Sequence, residues 1–146
     1  MEGLNLNQNE ETILGKKAIF VLSFAIPVFI MILIFVQRGI FPFGDQSFLR
    51  TDMYHQYAPF FSEFRYKLSS GGSLLYSWNL GMGINFSALY AYYLASPLNW
   101  LIIFCPQAYV IEFMTYMIVV KIGLSGLSFT YYLSKKGNEK TGIIFF

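Results

Sequence analysis

An uncharged segment, Ala18–Gln37, limits what this chain can fold into more than any other feature of the sequence. As a helix, a segment of about 20 residues is about 30 Å long, which matches the hydrocarbon thickness of a bilayer. Lys16 and Lys17 precede it directly, and residues 1–17 are mostly polar. Because basic residues favour the cytoplasmic side of a span, we expect a cytoplasmic N-terminal tail over 1–17 and a transmembrane helix over 18–37.

A cleaved signal peptide is the alternative interpretation of this segment. Its apolar run is longer than the core of a signal peptide. It ends in Val36-Gln37-Arg38, which lacks the small residues of a cleavage site. We therefore favour a span that is retained.

The composition of the chain agrees with a membrane protein. Of its 146 residues, 55% are hydrophobic and only 12% are charged, whereas a soluble domain has about 25% charged residues. Such hydrophobicity also excludes an intrinsically disordered chain. A net charge of +2 provides no basic surface for nucleic acid. One cysteine and one histidine exclude an internal disulfide and paired-histidine zinc motifs.

A second transmembrane helix is predicted over 108–133. Lysines at 135, 136 and 140 follow it and predict a cytoplasmic loop over 134–140. Residues 38–107 then form an extracytoplasmic loop between two spans. The apolar residues 141–146 predict the start of a further span, as in a fragment of a longer multi-pass protein. The fold class expected is therefore an all-α integral membrane protein.

The region 86–104 leaves two interpretations open. It is apolar enough for a third span, and no charged residue lies between Lys67 and Glu112. However, Ser96-Pro97 has the pattern of an N-cap followed by proline in the first helical turn, which would divide the region into two short helices. A third span would also place the Lys135-Lys136 pair outside. We favour helices that are re-entrant or lie at the membrane interface.

An amphipathic segment is predicted over 48–68. At 100° per residue its apolar side chains form one stripe, beside which Asp52, Gln56 and Glu63 gather. Pro59 predicts the start of a second helix within the segment. An interfacial helix with a solvated polar face is the simplest interpretation. The stripe consists of Leu49, Met53, Tyr57, Phe60, Phe64 and Leu68.

Two charged residues are candidates for chemistry. A carboxylate at Asp52, close to His55, can act as a general base on a hydroxyl or as a ligand of a divalent cation. Asp45, in Phe43-Gly-Asp45, is instead interpreted as a turn residue. Lys121 lies near the middle of the second span, where a charge is costly and faces protein or a water-filled cavity. Small residues follow it, which permits close helix contact.

Four stretches resemble the YfhO family of bacterial membrane proteins. They are Thr51-Asp-Met-Tyr-His-Gln-Tyr-Ala-Pro-Phe-Phe-Ser-Glu-Phe64, Gly72-Ser-Leu-Leu-Tyr-Ser-Trp-Asn-Leu-Gly-Met-Gly83, Tyr90-Ala-Tyr-Tyr-Leu-Ala-Ser-Pro-Leu-Asn99 and Lys121-Ile-Gly-Leu-Ser-Gly-Leu-Ser-Phe129. The resemblance extends over about residues 14 to 135. Family members are several times longer, so it implies an N-terminal part.

The resemblance implies a polytopic glycosyltransferase of the GT-C fold in the bacterial cytoplasmic membrane. Such enzymes take a sugar from a polyprenyl-phosphate carrier, and the implied acceptor is an envelope polymer such as lipoteichoic acid. Asp52 matches the essential acidic position after the first span, as base or as ligand of a divalent cation. Some relatives carry paired acids there, whereas Asp52 stands between Thr51 and Met53. The residues expected to bind substrate are Arg50, Tyr54, His55, Gln56, Asn79 and Lys121, with Lys121 or Arg50 facing the carrier phosphate.

A non-catalytic role is the alternative to this enzyme. A membrane subunit or a transporter of lipid-linked sugars could use the same aromatic loop to hold a polyprenyl chain and membrane lipid. The remainder of the gene would discriminate between the two, because a long multi-span continuation favours the enzyme.

Overall fold

The computed structural model of the chain describes residues 2–136, with side chains described from Lys17 onward. These residues form two compact units. The helix-pair unit combines residues up to Gln37 with those from Val119, and the loop unit comprises Arg38–Ile118. The predicted start of a further span at 141–146 and most of the predicted loop over 134–140 lie outside the described residues.

Helices dominate the described part of the chain, which confirms the predicted fold class. The α-helices are α1 (Glu2–Arg38), α2 (Ala58–Ser70), α3 (Phe86–Leu89) and α4 (Val110–Lys136). Two π-helical turns cover Met53–Tyr57 and Tyr90–Leu94, and 3₁₀ helices cover Pro97–Phe104 and Gln107–Tyr109. The strands β1 (Tyr76–Ser77) and β2 (Ile84–Asn85) pair antiparallel, with Tyr76 opposite Asn85.

Within the described residues, two helical stretches are long and apolar enough to cross a membrane. They are Lys17–Arg38 and Gln107–Lys136, in agreement with the predicted spans over 18–37 and 108–133. The first is continuous with the polar tail, because α1 already begins at Glu2. Pro27 lies inside α1 without ending it, which helices in lipid tolerate better than helices in water.

Two glycines bring α4 close to α1 in the helix-pair unit. A Cβ atom added at Gly123 would lie 2.7 Å from side-chain atoms of Phe24 and Val28. One added at Gly126 would collide with the backbone oxygen of Ser23. Small residues allow such approach between helices in lipid, as predicted for this part of the second span.

A hydrogen bond also joins the two helices. The hydroxyl of Thr130 donates to that of Ser23 over 2.7 Å, and the Ser23 hydroxyl donates in turn to the carbonyl of Ile19, also over 2.7 Å. Ser23 and Thr130 are both buried. The chain of bonds satisfies both hydroxyls without water.

An aromatic core holds the loop unit together. Phe64 of α2 is fully buried, and the rings of Phe86, Tyr90 and Trp100 lie 5.4 to 6.4 Å from its ring. The indole N–H of Trp100 donates to the Tyr90 hydroxyl over 2.8 Å. The predicted apolar stripe is confirmed, since all six of its residues belong to this core or pack against it: Leu49, Met53, Tyr57, Phe60, Phe64 and Leu68.

The apolar region 86–104 is divided into two short helical segments. The first is α3 with the π-helical turn that follows it, and the second is the 3₁₀ helix that begins at Pro97. Ser96 occupies the N-cap position as predicted, but its side chain makes no capping bond. Asn85 caps α3 instead, by accepting from the Ala88 N–H over 3.1 Å. Neither segment reaches the length of about 20 residues that a span requires.

Candidate functional site

The backbone around Asp52 departs from regular helical geometry. Thr51 has a φ of +46°, which is rare for a β-branched residue and costs about 1–3 kcal/mol. Its carbonyl accepts from the N–H groups of Tyr54 and His55, over 3.0 and 2.9 Å. The π-helical turn begins at Met53. Such turns occur frequently at functional sites.

The Asp52 side chain is exposed at the start of this turn. It occupies the N-cap position but accepts no capping hydrogen bond. Within residues 2–136 its carboxylate makes no ion pair or side-chain hydrogen bond either. A role as a helix cap therefore does not explain the residue, and the carboxylate is open to a ligand.

Four other predicted site residues accompany Asp52 on the same segment. The rings of Tyr54 and His55 are edge to face at 5.4 Å, and both side chains are exposed. The amide nitrogen of Gln56 donates to the Tyr93 hydroxyl over 3.1 Å. Arg50 is exposed, and its carbonyl accepts from the Met53 N–H. This bond places Arg50 at the beginning of the turn.

Asn79 and Lys121 are not part of this segment. Asn79 lies beyond β1 and donates through its side-chain nitrogen to Glu63 of α2 over 3.0 Å. Lys121 is partly buried in α4 and belongs to the helix-pair unit. A shared site that includes Lys121 therefore stays a prediction.

Glu63 corrects the prediction of a solvated acidic face on α2. Its side chain is only 7% exposed, because residues 77–79 cover that face of the helix. The Ser77 hydroxyl donates to it over 2.6 Å, and the Lys67 ammonium lies 3.5 Å away. Burial by itself raises the pKa of Glu63, but the hydrogen bonds from Ser77 and Asn79 and the charge of Lys67 together hold that pKa below its ordinary value.

Lys67 is the second member of this buried pair and was missed by the sequence analysis. It is 8% exposed and donates to the carbonyls of Ser73 and Tyr76, each over 2.8 Å. Its ammonium also lies 5.3 Å from the centre of the Phe86 ring. The pair therefore fastens β1 and the turn before it to α2. The spacing of four residues between Glu63 and Lys67 was the only signal of it in the sequence.

Three cavities adjoin α2 and the segment of Asp52. The largest of the three has a volume of about 520 Å³, and Arg65, Asn79 and Gln107 are among the residues that line it. A second, of about 330 Å³, shares Gln107 with it and extends to Tyr54. A third, of about 340 Å³, also has Tyr54 in its wall. Tyr54, two residues after Asp52, thus lies between two of them.

The third cavity contains two acidic residues, Asp45 and Glu112. Asp45 is exposed in a bend, in agreement with its interpretation as a turn residue. The Oε2 atom of Glu112 is buried without a hydrogen-bond partner in the described part of the chain.

The donor set does not fit a complete metal site. Among the described residues, no three side chains of histidine, cysteine, aspartate or glutamate come together. Asp52 could supply one oxygen ligand, whereas Mg²⁺ and Ca²⁺ need six or more, some of them from water or substrate.

Comparison with known proteins places the chain in one family. No curated protein and no solved structure matches it. The sequence profile of the family described as "Bacterial membrane protein YfhO" matches residues 23–146. That match includes the segment of Asp52, the buried pair on α2 and all of α4. The chain belongs to the YfhO family of bacterial membrane proteins.

Proposed function

We propose that this chain is the N-terminal part of a membrane glycosyltransferase. It would move a sugar from a polyprenyl-phosphate carrier to a cell-envelope polymer such as lipoteichoic acid. The observation that carries the proposal is the exposed carboxylate of Asp52, which follows the first membrane-spanning helix and has neither a capping role nor a partner among the described residues. The strained backbone at Thr51 supports it.

In this reaction Asp52 acts as the general base. The acceptor hydroxyl oxygen attacks the anomeric carbon of the donor sugar, and its proton passes to the carboxylate. The bond between that carbon and the carrier phosphate breaks, and the phosphate leaves with the electron pair. Arg50, or Lys121, neutralises the charge that develops on the phosphate. Arg50 is supported by its position at the beginning of the same turn.

The remaining predicted residues would position the sugar. Tyr54 and His55 present exposed rings beside the base. Gln56 is held by Tyr93, which leaves its amide oxygen available as an acceptor. Asn79 is held by Glu63 in the same manner. Holding groups in place before substrate binds is a large part of what a transferase site contributes.

The proposal places the protein in the bacterial cytoplasmic membrane with several spans. Both ends of the described chain would face the cytoplasm, and residues 38–107 would lie outside. The lysines that flank the two spans support this orientation.

This topology predicts different labelling of two introduced cysteines. In a Cys105→Ser background, Ser70→Cys should react in intact cells with a membrane-impermeant maleimide. Ser134→Cys should react only after the cells are broken, because the reagent does not cross the membrane. Both serines are exposed, so the comparison is matched in accessibility. Labelling of Ser134→Cys in intact cells would contradict the topology.

The glycosyltransferase itself is tested by sugar analysis of the envelope. Deletion of the gene should remove one sugar from an envelope polymer, and the full-length protein should restore it. A transporter or subunit would give the same loss. Reconstituted full-length protein, supplied with polyprenyl-phosphate-linked sugar and polymer, should transfer the sugar without another protein. A donor that stays intact in this assay would favour the non-catalytic alternative.

A further inference from the structure

The largest of these three cavities is lined mostly by polar side chains, and hydrogen bonds hold Arg65 and Gln107 in place. Its volume of about 520 Å³ lies in the usual range of ligand sites. Arg65 is held by a bond from its Nε–H to the carbonyl of Cys105. Gln107 donates through Nε2 to the Ser62 carbonyl over 3.1 Å and also to its hydroxyl. No described residue accepts from the terminal nitrogens of Arg65, which are therefore free for a ligand.

The hydrogen bonds also determine which atoms the two amides offer. A carboxylate only accepts, so Asn79 must direct its NH₂ group at Glu63. A backbone carbonyl likewise only accepts, so Gln107 must direct its NH₂ group at Ser62. The amide oxygens of both residues receive no hydrogen bond from the described chain. The cavity thus combines two acceptor oxygens with the donors of Arg65.

This combination favours a neutral polyhydroxylated ligand over an anion. Each sugar hydroxyl both donates and accepts, so it can pair with the amide oxygens and with the guanidinium. An anionic phosphate group would place its negative charge beside two amide oxygens and the Glu63 carboxylate. The exposed ring of Tyr66 completes the cavity with an apolar surface. Pockets with an aromatic wall and a few oriented polar groups are typical of small-molecule sites.

We propose that the cavity between Arg65, Tyr66, Asn79 and Gln107 binds the sugar ring of a glycoside. The proposal rests on the proposed function, because it assigns a site to that reaction's sugar-bearing substrate. The second cavity shares Gln107 and extends to Tyr54, two residues after Asp52. The two cavities therefore adjoin at Pro59, Ser62 and Gln107, on the side of the large cavity that faces the second.

Binding without turnover tests this site separately from the reaction. The protein is the full-length chain carrying Asp52→Asn, reconstituted in lipid nanodiscs. The probes are methyl β-glucoside, methyl β-galactoside and methyl N-acetyl-β-glucosaminide, each measured by saturation-transfer NMR. We expect at least one of them to bind. Inorganic phosphate added in excess should not displace it.

Two variants and a matched control locate the binding. Tyr66→Leu and Gln107→Leu should each raise the Kd of the bound glycoside roughly five- to tenfold. Tyr109→Leu should leave it unchanged, since Tyr109 is 54% exposed like Tyr66 and lies outside the cavity. If Tyr66→Leu folds poorly, Gln107→Leu decides.

Three results would overturn the proposal. They are no binding of any of the three glycosides, displacement by phosphate, or variants at Tyr66 and Gln107 that bind as tightly as Tyr109→Leu. If one of these results is obtained while sugar transfer still depends on Asp52, the sugar-binding cavity is rejected and the glycosyltransferase function is kept. If glycoside binding depends on Tyr66 but the protein has no transferase activity, the cavity is kept and the glycosyltransferase function is rejected.

Discussion

Asp52→Asn should reduce sugar transfer by about 10²- to 10⁴-fold in the full-length protein while leaving it folded in the membrane. A general base contributes about this factor, and the amide cannot accept the proton of the acceptor hydroxyl. The substitution preserves size, and Asp52 makes no hydrogen bond as a cap that would be lost. Transfer from polyprenyl-phosphate-linked sugar is the measurement, and the amount of protein in the membrane is determined in parallel.

Asp45→Asn is the matched control for this experiment. Asp45 is another exposed aspartate of the loop unit, but it lies in a bend and not at the π-helical turn. Its variant should transfer sugar at a rate close to that of the wild type. Near-normal transfer by Asp52→Asn, or loss of transfer only in Asp45→Asn, would contradict the role of Asp52 as base.

Lys67→Met should destabilise the loop unit by about 3–5 kcal/mol. The substitution leaves Glu63 buried without its counter-charge and leaves the carbonyls of Ser73 and Tyr76 without their donor. The loss of stability is measured by thermal unfolding of the protein in detergent. The reaction of Cys105 with a thiol reagent reports how much of the protein is unfolded at each temperature. Cys105 is suitable because it is partly buried in the folded protein and packs against the core.

The double variant Glu63→Gln with Lys67→Met is the internal control. Removal of both charges leaves no buried charge unpaired, so it should cost less than the sum of the two single changes. An additive double variant would show that the two charges are not coupled.

The wild type should also lose the stabilisation by the Glu63–Lys67 pair in acid. Since the folded-state pKa of Glu63 lies below its ordinary value of 4.5, the stabilisation is present above pH 4.5 and is lost as the pH falls through the lowered pKa.

Local patterns in the sequence predicted the spans and the apolar stripe correctly. Hydropathy and length are properties of one contiguous segment, so Lys17–Arg38 and Gln107–Lys136 needed no knowledge of neighbours. The stripe on 48–68 followed from helical periodicity, which survives the π-helical turn. Pro97 divided the region 86–104 for a reason that is also local, the missing N–H of proline.

The part of the site that the sequence did not predict depends on contacts between distant segments. Periodicity placed Glu63 on a polar face of α2 but could not predict that residues 77–79 fold back over that face. Gln107 donates a hydrogen bond to Ser62, which lies 45 residues earlier in the sequence, and Arg65 donates to the Cys105 carbonyl, which lies 40 residues later. The cavity between these residues forms only when the segment that contains Cys105 and Gln107 packs against α2. No local pattern encodes these contacts.

The close approach of α4 to α1 at Gly126 makes this position intolerant of any larger residue. In water, an added methyl group at a packed surface gains burial energy that offsets part of a collision. In lipid it gains none, because the hydrocarbon it leaves is as apolar as the protein it enters. A residue larger than glycine at position 126 therefore collides with the Ser23 backbone oxygen and gains no burial energy that would offset the collision. The separation of the two helices is thus set by backbone atoms, which cannot adjust as side chains do.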